Sequence, residues 1–185
     1  IRSSEIIVLA LPSQSIRDVI TKNKSSFNKN HIIVNVSKGI EIDTLMTVSE
    51  VINDVLDGQH KSVVTLSGPS HAEEVINGHP TTLVAASNDI QSAEIIQNLF
   101  ATEKLRTYLN RDIRGVELGG SMKNVIAIAA GICDGIGYGD NSKAALMTRG
   151  MMEITRLGEA MGARVETFRG LSGYGDLIVT CLSKH

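Results

Sequence analysis

Glu5-Ile6-Ile7-Val8-Leu9-Ala10-Leu11-Pro12-Ser13 is the stretch from which the architecture of this chain can be read. Residues 5–11 are almost continuously apolar, the pattern of a strand buried on both faces in a parallel sheet. Pro12 ends the strand because it has no amide hydrogen for a ladder, and Ser13 can cap a helix over about residues 16–24.

The same alternation continues along the chain. His31-Ile32-Ile33-Val34-Asn35-Val36 reads as a second buried strand closed by Ser37-Lys38-Gly39, followed by a helix around 45–56 that ends at Asp57-Gly58. Ser62-Val63-Val64-Thr65-Leu66 is a third strand running into Ser67-Gly68-Pro69-Ser70. A short helix over 71–76 follows, broken by Asn77-Gly78-His79-Pro80. Residues 81–86 read as a strand, 90–100 as a helix and 105–109 as a fifth strand. Strand and helix alternating through short connections predict an α/β fold with a doubly wound parallel sheet. After Asn110-Arg111-Asp112 the strand signals stop, and long helices are expected over 113–134 and 142–162 with a shorter one near Asp176. The expected division is therefore 1–111 and 112–185.

Composition narrows the function classes. The chain is 42% hydrophobic and 21% charged, with a formal net charge of −2. That balance gives no electrostatic reason to expect nucleic acid as a partner, and a 3% aromatic content without tryptophan offers no base-stacking surface. Cys133 and Cys181 form no C-x-x-C pair and read as buried, reduced thiols. The histidines lack metal-ligand spacing, and no uninterrupted apolar run reaches the length of a membrane span. The chain opens at Ile1, almost directly in a strand, and stops at Ser183-Lys184-His185 in a segment patterned as ordered structure. The expectation is a piece of a longer protein.

Lys123 is the first candidate for chemistry. It lies in Val116-Glu117-Leu118-Gly119-Gly120-Ser121-Met122-Lys123-Asn124-Val125-Ile126-Ala127, a run that holds little other charge and becomes apolar nearly all round from Val125. Such a run predicts a buried helix, where lost solvation disfavours the charged ammonium and suits an acid–base group. Gly119 and Gly120 are expected to clear space for a ligand beside it, and Asn124 offers donors and an acceptor. Lys38 places a cation at the carboxyl end of a strand, where open sheets bind ligands. Ser70-His71-Ala72-Glu73 fits a capping box, so Ser70 is expected to cap a helix whose amides also suit an anion. Asp176 likewise reads as a helix cap, with Thr180 one turn on along the same face.

Taken together, Leu11-Pro12-Ser13, Ser37-Lys38-Gly39-Ile40-Glu41, Ser67-Gly68-Pro69-Ser70-His71-Ala72-Glu73, Glu117-Leu118-Gly119-Gly120-Ser121-Met122-Lys123-Asn124-Val125 and Gly173-Tyr174-Gly175-Asp176-Leu177 resemble one family. It is the bacterial-type NAD(P)-dependent glycerol-3-phosphate dehydrogenases, and the resemblance covers essentially the whole chain. It implies a Rossmann-type dinucleotide-binding domain, present here as its C-terminal part over 1–111. A truncated all-helical substrate domain would begin at 112. It further implies reversible hydride transfer between dihydroxyacetone phosphate and sn-glycerol 3-phosphate with NAD or NADP as cofactor. The implied setting is a cytoplasmic homodimer supplying glycerol 3-phosphate for phospholipid synthesis.

By position, Lys123 resembles the catalytic proton donor and acceptor, with Asp176, Thr180 and Asn124 completing the catalytic set. Lys38, Gly68, Ser70, Lys123 and Asp176 match substrate-binding positions, and Pro12, Lys38 and Ala72 cofactor-contacting ones. The family's opening strand with its G-x-G-x-x-[GA] loop is absent, as is its Ser-Arg-Asn segment. His71 stands in place of the usual Phe and Tyr174 in place of Leu. The β-hydroxyacid dehydrogenases are the neighbouring alternative, but they resemble G-x-x-x-K-x-x-x-N, whereas here Asn124 is adjacent to the lysine and position 127 is Ala. An inert fragment of the family is the second alternative.

Overall fold

The computed structural model describes residues 1–183; Lys184 and His185, at the end of the last expected segment, lie outside them. Strands β1 (Ile6–Leu9), β2 (Ile32–Asn35), β3 (Ser62–Ser67), β4 (Thr81–Ala86) and β5 (Leu105–Asn110) form one sheet in the order β1-β2-β3-β4-β5. The α/β class is as expected, with helices α1 (Ile16–Asn23), α2 (Val48–Leu56), α3 (Ala72–Ile76) and α4 (Ile90–Phe100) between the strands. After β5 the chain is helical: α5 (Ile113–Gly135), α6 (Asp140–Ala160), α7 (Val165–Phe168) and α8 (Asp176–Leu182).

The sheet departs from the expected all-parallel arrangement at one junction. β1, β2 and β3 are parallel, but β4 pairs antiparallel with β3, and β5 runs parallel to β4. The connection explains the reversal. A parallel return needs a crossover helix packed on the sheet, but α3 has five residues and buries none of them. α4 buries Ser92, Ala93 and Ile96, and it makes such a crossover between β4 and β5.

Two apolar layers hold the sheet. On one face Ile16 and Ile20 of α1, Val48, Val51, Ile52, Val55 and Leu56 of α2 and Ile113 and Val116 of α5 pack with Leu9, Ile33 and Val63. On the other, Ala93 and Ile96 of α4 cover Ile32, Val34, Val64, Leu66 and Leu83. β2 and β3 are buried throughout, as their sequence predicts. β1 is not buried on both faces: it is the outer strand, with β2 as its partner, and Val8 is 48% exposed. A third cluster, around Leu118, Met151, Phe168 and Leu177, ties α5, α6, α7 and α8 together.

Two helix starts differ from their sequence pattern. α2 starts at Val48 rather than near 45, because Thr47 and Glu50 form a capping box and Leu45 holds a positive φ of 58° in the turn before it. Ser13 does not cap α1; it opens a 3-10 turn, Ser13–Ser15, ahead of the helix. Cys181 is buried and Cys133 half-buried, and both are free thiols.

α5 corrects the expectation of a uniformly buried helix. Its first half packs on the sheet, while Val125, Ile128 and Ile132 further along are exposed, Val125 at 69%. By length and hydropathy α5 passes as a membrane-spanning segment, as a core helix also does.

Candidate active site

The loops after the carboxyl ends of β2 and β3 meet α5 and α8, and two lysines meet one carboxylate there. Asp176, the first residue of α8, is 1% exposed. Its Oδ1 accepts a hydrogen bond from Lys123 Nζ of α5, and its Oδ2 accepts one from Lys38 Nζ at 2.6 Å. Lys123 Nζ also donates to Thr180 Oγ1 at 2.7 Å, and the Thr180 hydroxyl in turn donates to the Asp176 carbonyl at 2.6 Å. Lys38 Nζ donates a second bond to the Gly68 carbonyl at 3.1 Å, which also accepts from Ser70 Oγ at 3.3 Å. The fold thus brings together Lys123, Asp176, Thr180, Lys38, Gly68 and Ser70 from distant parts of the chain.

Each residue reaches the site through a local feature. Gly39 and Gly68, just past the ends of β2 and β3, both hold a φ of 150°, which turns each loop across the strand ends. A Cβ on Gly68 would lie 3.0 Å from the Thr82 carbonyl, so the loop lies tight on β4. Asp176 is not a helix cap. The five-residue π turn Leu171–Gly175 runs without a break into α8 through Gly175 (φ −59°, ψ −48°), so its carboxylate is left free for the lysines. Ser70 is not a cap either: α3 begins at Ala72 with His71 before it, which puts the S-x-x-E pattern one residue out of register.

Lys123 is 8% exposed, so it does not snorkel to solvent. Its burial was expected, and a buried carboxylate faces it. Lys38, with its side chain 27% exposed, is held below the ordinary lysine range by burial. The Lys123 charge adds to that lowering, and Asp176 opposes it.

The two glycines before Lys123 serve packing rather than a ligand. A Cβ on Gly119 would sit 2.6 Å from the Ser172 carbonyl oxygen, and one on Gly120 would sit 3.1 Å from Ser67 Oγ and 3.5 Å from Lys38 Cδ. They let α5 approach the π turn and the Lys38 side chain. Gly119→Ala is therefore expected to cost about 1–3 kcal/mol, because the obstructing atom is backbone. An unchanged urea midpoint for Gly119→Ala would show that the contact yields freely.

Three expected site residues are outside the hydrogen-bonded cluster. Asn124 is exposed on α5, Pro12 is exposed after β1, and Ala72 is exposed at the start of α3. Pro12 and Ala72 do lie at the same strand edge as Lys38. A cavity of about 550 Å³ lined by His71, Glu74, Gly175, Ile178 and Val179 runs between α3 and α8 beside the cluster. Three further residues were not singled out from the sequence: Asn35, Glu117 and Ser121. Asn35 Nδ2 donates to Glu117 Oε1 at 3.0 Å, and Ser121 Oγ accepts from the Gly39 amide at 2.9 Å. A solitary glutamate in an apolar helix was the available sign.

The chain matches two family models: NAD-dependent glycerol-3-phosphate dehydrogenase N-terminus over residues 1–93, and NAD-dependent glycerol-3-phosphate dehydrogenase C-terminus over residues 112–185. It is 57% identical over 185 residues to a glycerol-3-phosphate dehydrogenase [NAD(P)+] of Clostridium perfringens, covering 100% of this chain and 55% of the relative. It is 54% identical over 186 residues to one from Listeria monocytogenes, covering 100% and 55%. The crystal structure of glycerol-3-phosphate dehydrogenase from Coxiella burnetii superposes with a TM-score of 0.92 at 38% identity, covering 97% of this chain and 55% of that one. The chain spans about half the length of the curated relatives it matches.

Proposed function

Because the chain belongs to the NAD-dependent glycerol-3-phosphate dehydrogenase family, we propose that it carries the acid–base and substrate-binding part of an enzyme interconverting dihydroxyacetone phosphate and sn-glycerol 3-phosphate. The observation that carries this reading is the pair of ammonium groups on one buried carboxylate. An ammonium has three N–H donors. Among the described residues Lys123 spends two, on Asp176 and Thr180, and Lys38 spends two, on Asp176 and Gly68. Each keeps one donor for a ligand, and two cations against one anion leave the cluster positive. That suits a phosphorylated ketone.

In the reducing direction Lys123 gives a proton to the carbonyl oxygen as it becomes an alkoxide; in the oxidising direction it takes the hydroxyl proton back. Asp176 and Thr180 hold its Nζ in place for that transfer. Lys38 contributes a second donor and its charge. Gly68 and Ser70 complete the substrate side, and Asn124 joins it when substrate is bound. The exposed Pro12 and Ala72, with Lys38 between them along the strand edge, fit the nicotinamide end of NAD or NADP. When bound, that group supplies or accepts the hydride at the carbonyl carbon. The sequence has no G-x-G-x-x-G loop after a strand, and no residue is assigned to the pyrophosphate. The reading also carries a division at residues 111 and 112, a cytoplasmic homodimer, and supply of glycerol 3-phosphate to phospholipid synthesis.

The test is dihydroxyacetone phosphate-dependent oxidation of NADH or NADPH by the protein extended to the length of its relatives. Turnover is expected there, and its absence with oxidation of 3-hydroxy acids instead would overturn the reading. The 185-residue chain alone is the control for an inert fragment. KM for the phosphorylated ketone should rise with pH before the ordinary lysine range is reached, because Lys38 loses its proton early. Lys38→Arg should keep KM flat to higher pH. The same rise in both proteins would remove Lys38 from substrate binding.

A further inference from the structure

Glu117 takes no part in the proton transfer, yet it is 5% exposed and no cation among the described residues pairs with it. Its carboxyl group instead collects neutral donors from three other elements. Oε1 accepts from the Ser49 amide of α2 at 3.0 Å, from Thr65 Oγ1 of β3 at 2.8 Å and from Asn35 Nδ2 of β2 at 3.0 Å. Oε2 accepts from Ser49 Oγ at 2.6 Å. Asn35 and Thr65 are register partners on neighbouring strands, so the carboxyl group sits against the carboxyl end of β2 and the β3 residue beside it. Burial pushes it up from the ordinary carboxylate range, while the Ser49, Thr47 and Thr65 donors oppose that.

Two tethers run from this part of α5 to the residues on either side of Lys38, one through the Glu117 carboxyl group and one through the Ser121 hydroxyl. On one side Asn35, held by the carboxyl group, accepts from the Ser37 amide at 2.9 Å and donates to the Ser37 carbonyl at 3.3 Å. On the other, Ser121 Oγ donates to the Glu117 carbonyl at 2.7 Å and accepts from the Gly39 amide at 2.9 Å. Lys123 lies further along the same helix, about 9 Å from Glu117 at 1.5 Å rise per residue. We propose that Glu117 is a positioning residue: with Ser121 one turn on, it clamps the Ser37–Gly39 loop to α5 and so fixes the spacing of the Lys38 and Lys123 ammonium groups across Asp176. The assignment rests on the reaction proposed above.

The experiment is a double-mutant cycle of Glu117→Gln and Lys38→Met in the full-length protein, read as kcat and KM. Glu117→Gln keeps the shape but puts an amide donor among donors. A misplacement of the order of 1 Å is enough to cost about 10²-fold in rate, so a fall of about 10- to 100-fold in kcat/KM is expected. In the Lys38→Met background the further loss should shrink to under about 3-fold, since there is no second ammonium left to place. A purely structural role would give the same factor in both backgrounds and would overturn the proposal. Ser121→Ala keeps the buried carboxyl group and cuts only the Gly39 tether. Should Glu117→Gln not fold, that variant decides: kcat/KM should fall several-fold, and no change overturns the clamp. Lys123→Ala runs in parallel. A loss there with silent Glu117→Gln and Ser121→Ala sinks the clamp alone, whereas an unaffected Lys123→Ala sinks the site itself.

Discussion

Lys123→Ala, in the protein extended to the length of its relatives, should lower kcat by at least about 10²-fold, the lower bound for removing a general acid–base group. The geometry makes this residue hard to replace. Its Nζ is pinned between Asp176 Oδ1 and Thr180 Oγ1, with the remaining donor uncommitted among the described residues. Lys38 holds a different place, on the far oxygen of the same carboxylate and on the Gly68 carbonyl, and is not expected to take over. Alanine also removes one of the two positive charges at the cluster, so KM should rise as well. An exogenous primary amine should restore part of kcat at high concentration if proton transfer is what was lost. A kcat equal to that of the parent would remove Lys123 from the chemistry.

Asp176→Ala should cost about 3–5 kcal/mol of stability, the range for stranding one member of a buried ion pair. Asp176 is 1% exposed and the Lys123 side chain 10%, so the stranded ammonium has no easy route to water. Lys38 is different: with 27% of its side chain exposed it can turn outward, and it should contribute little to the loss. The effect therefore belongs mainly to Lys123, and the double variant Asp176→Ala with Lys123→Met should recover most of it. Urea unfolding followed by circular dichroism measures both. A loss below about 1 kcal/mol for Asp176→Ala would mean that the pair is not buried in solution.

Much of the fold was legible because period and punctuation carry it. The apolar runs at 32–35 and 62–67 are strands buried on both faces, and Asp57-Gly58 ends α2 where it was expected to. The direction of β4 was not legible, since an apolar run reads the same either way. Direction follows from whether the preceding connection can pack on the sheet, and α3 cannot. The capping expectations for Ser70 and Asp176 failed for a related reason. A cap depends on the exact residue at which a helix begins, and the π turn ahead of α8 has no signature in residue type alone. Lys123 stood out as a lone charge ahead of an apolar run, and Lys38 as a cation just past the end of a strand. That Gly119 and Gly120 would face protein instead of ligand was set by Ser172 and Lys38, far away in sequence.

The way the site is divided between elements has a mechanical consequence. The loop that carries Lys38 is tied to the Glu117 network on α5, the helix that also carries Lys123, so the two positive groups stand on the sheet and α5. Asp176 and Thr180 arrive separately, on α8, behind a turn of five residues. A displacement of α8 that separated the anion from the cations would have to part Leu177 from Leu118, which share one apolar cluster.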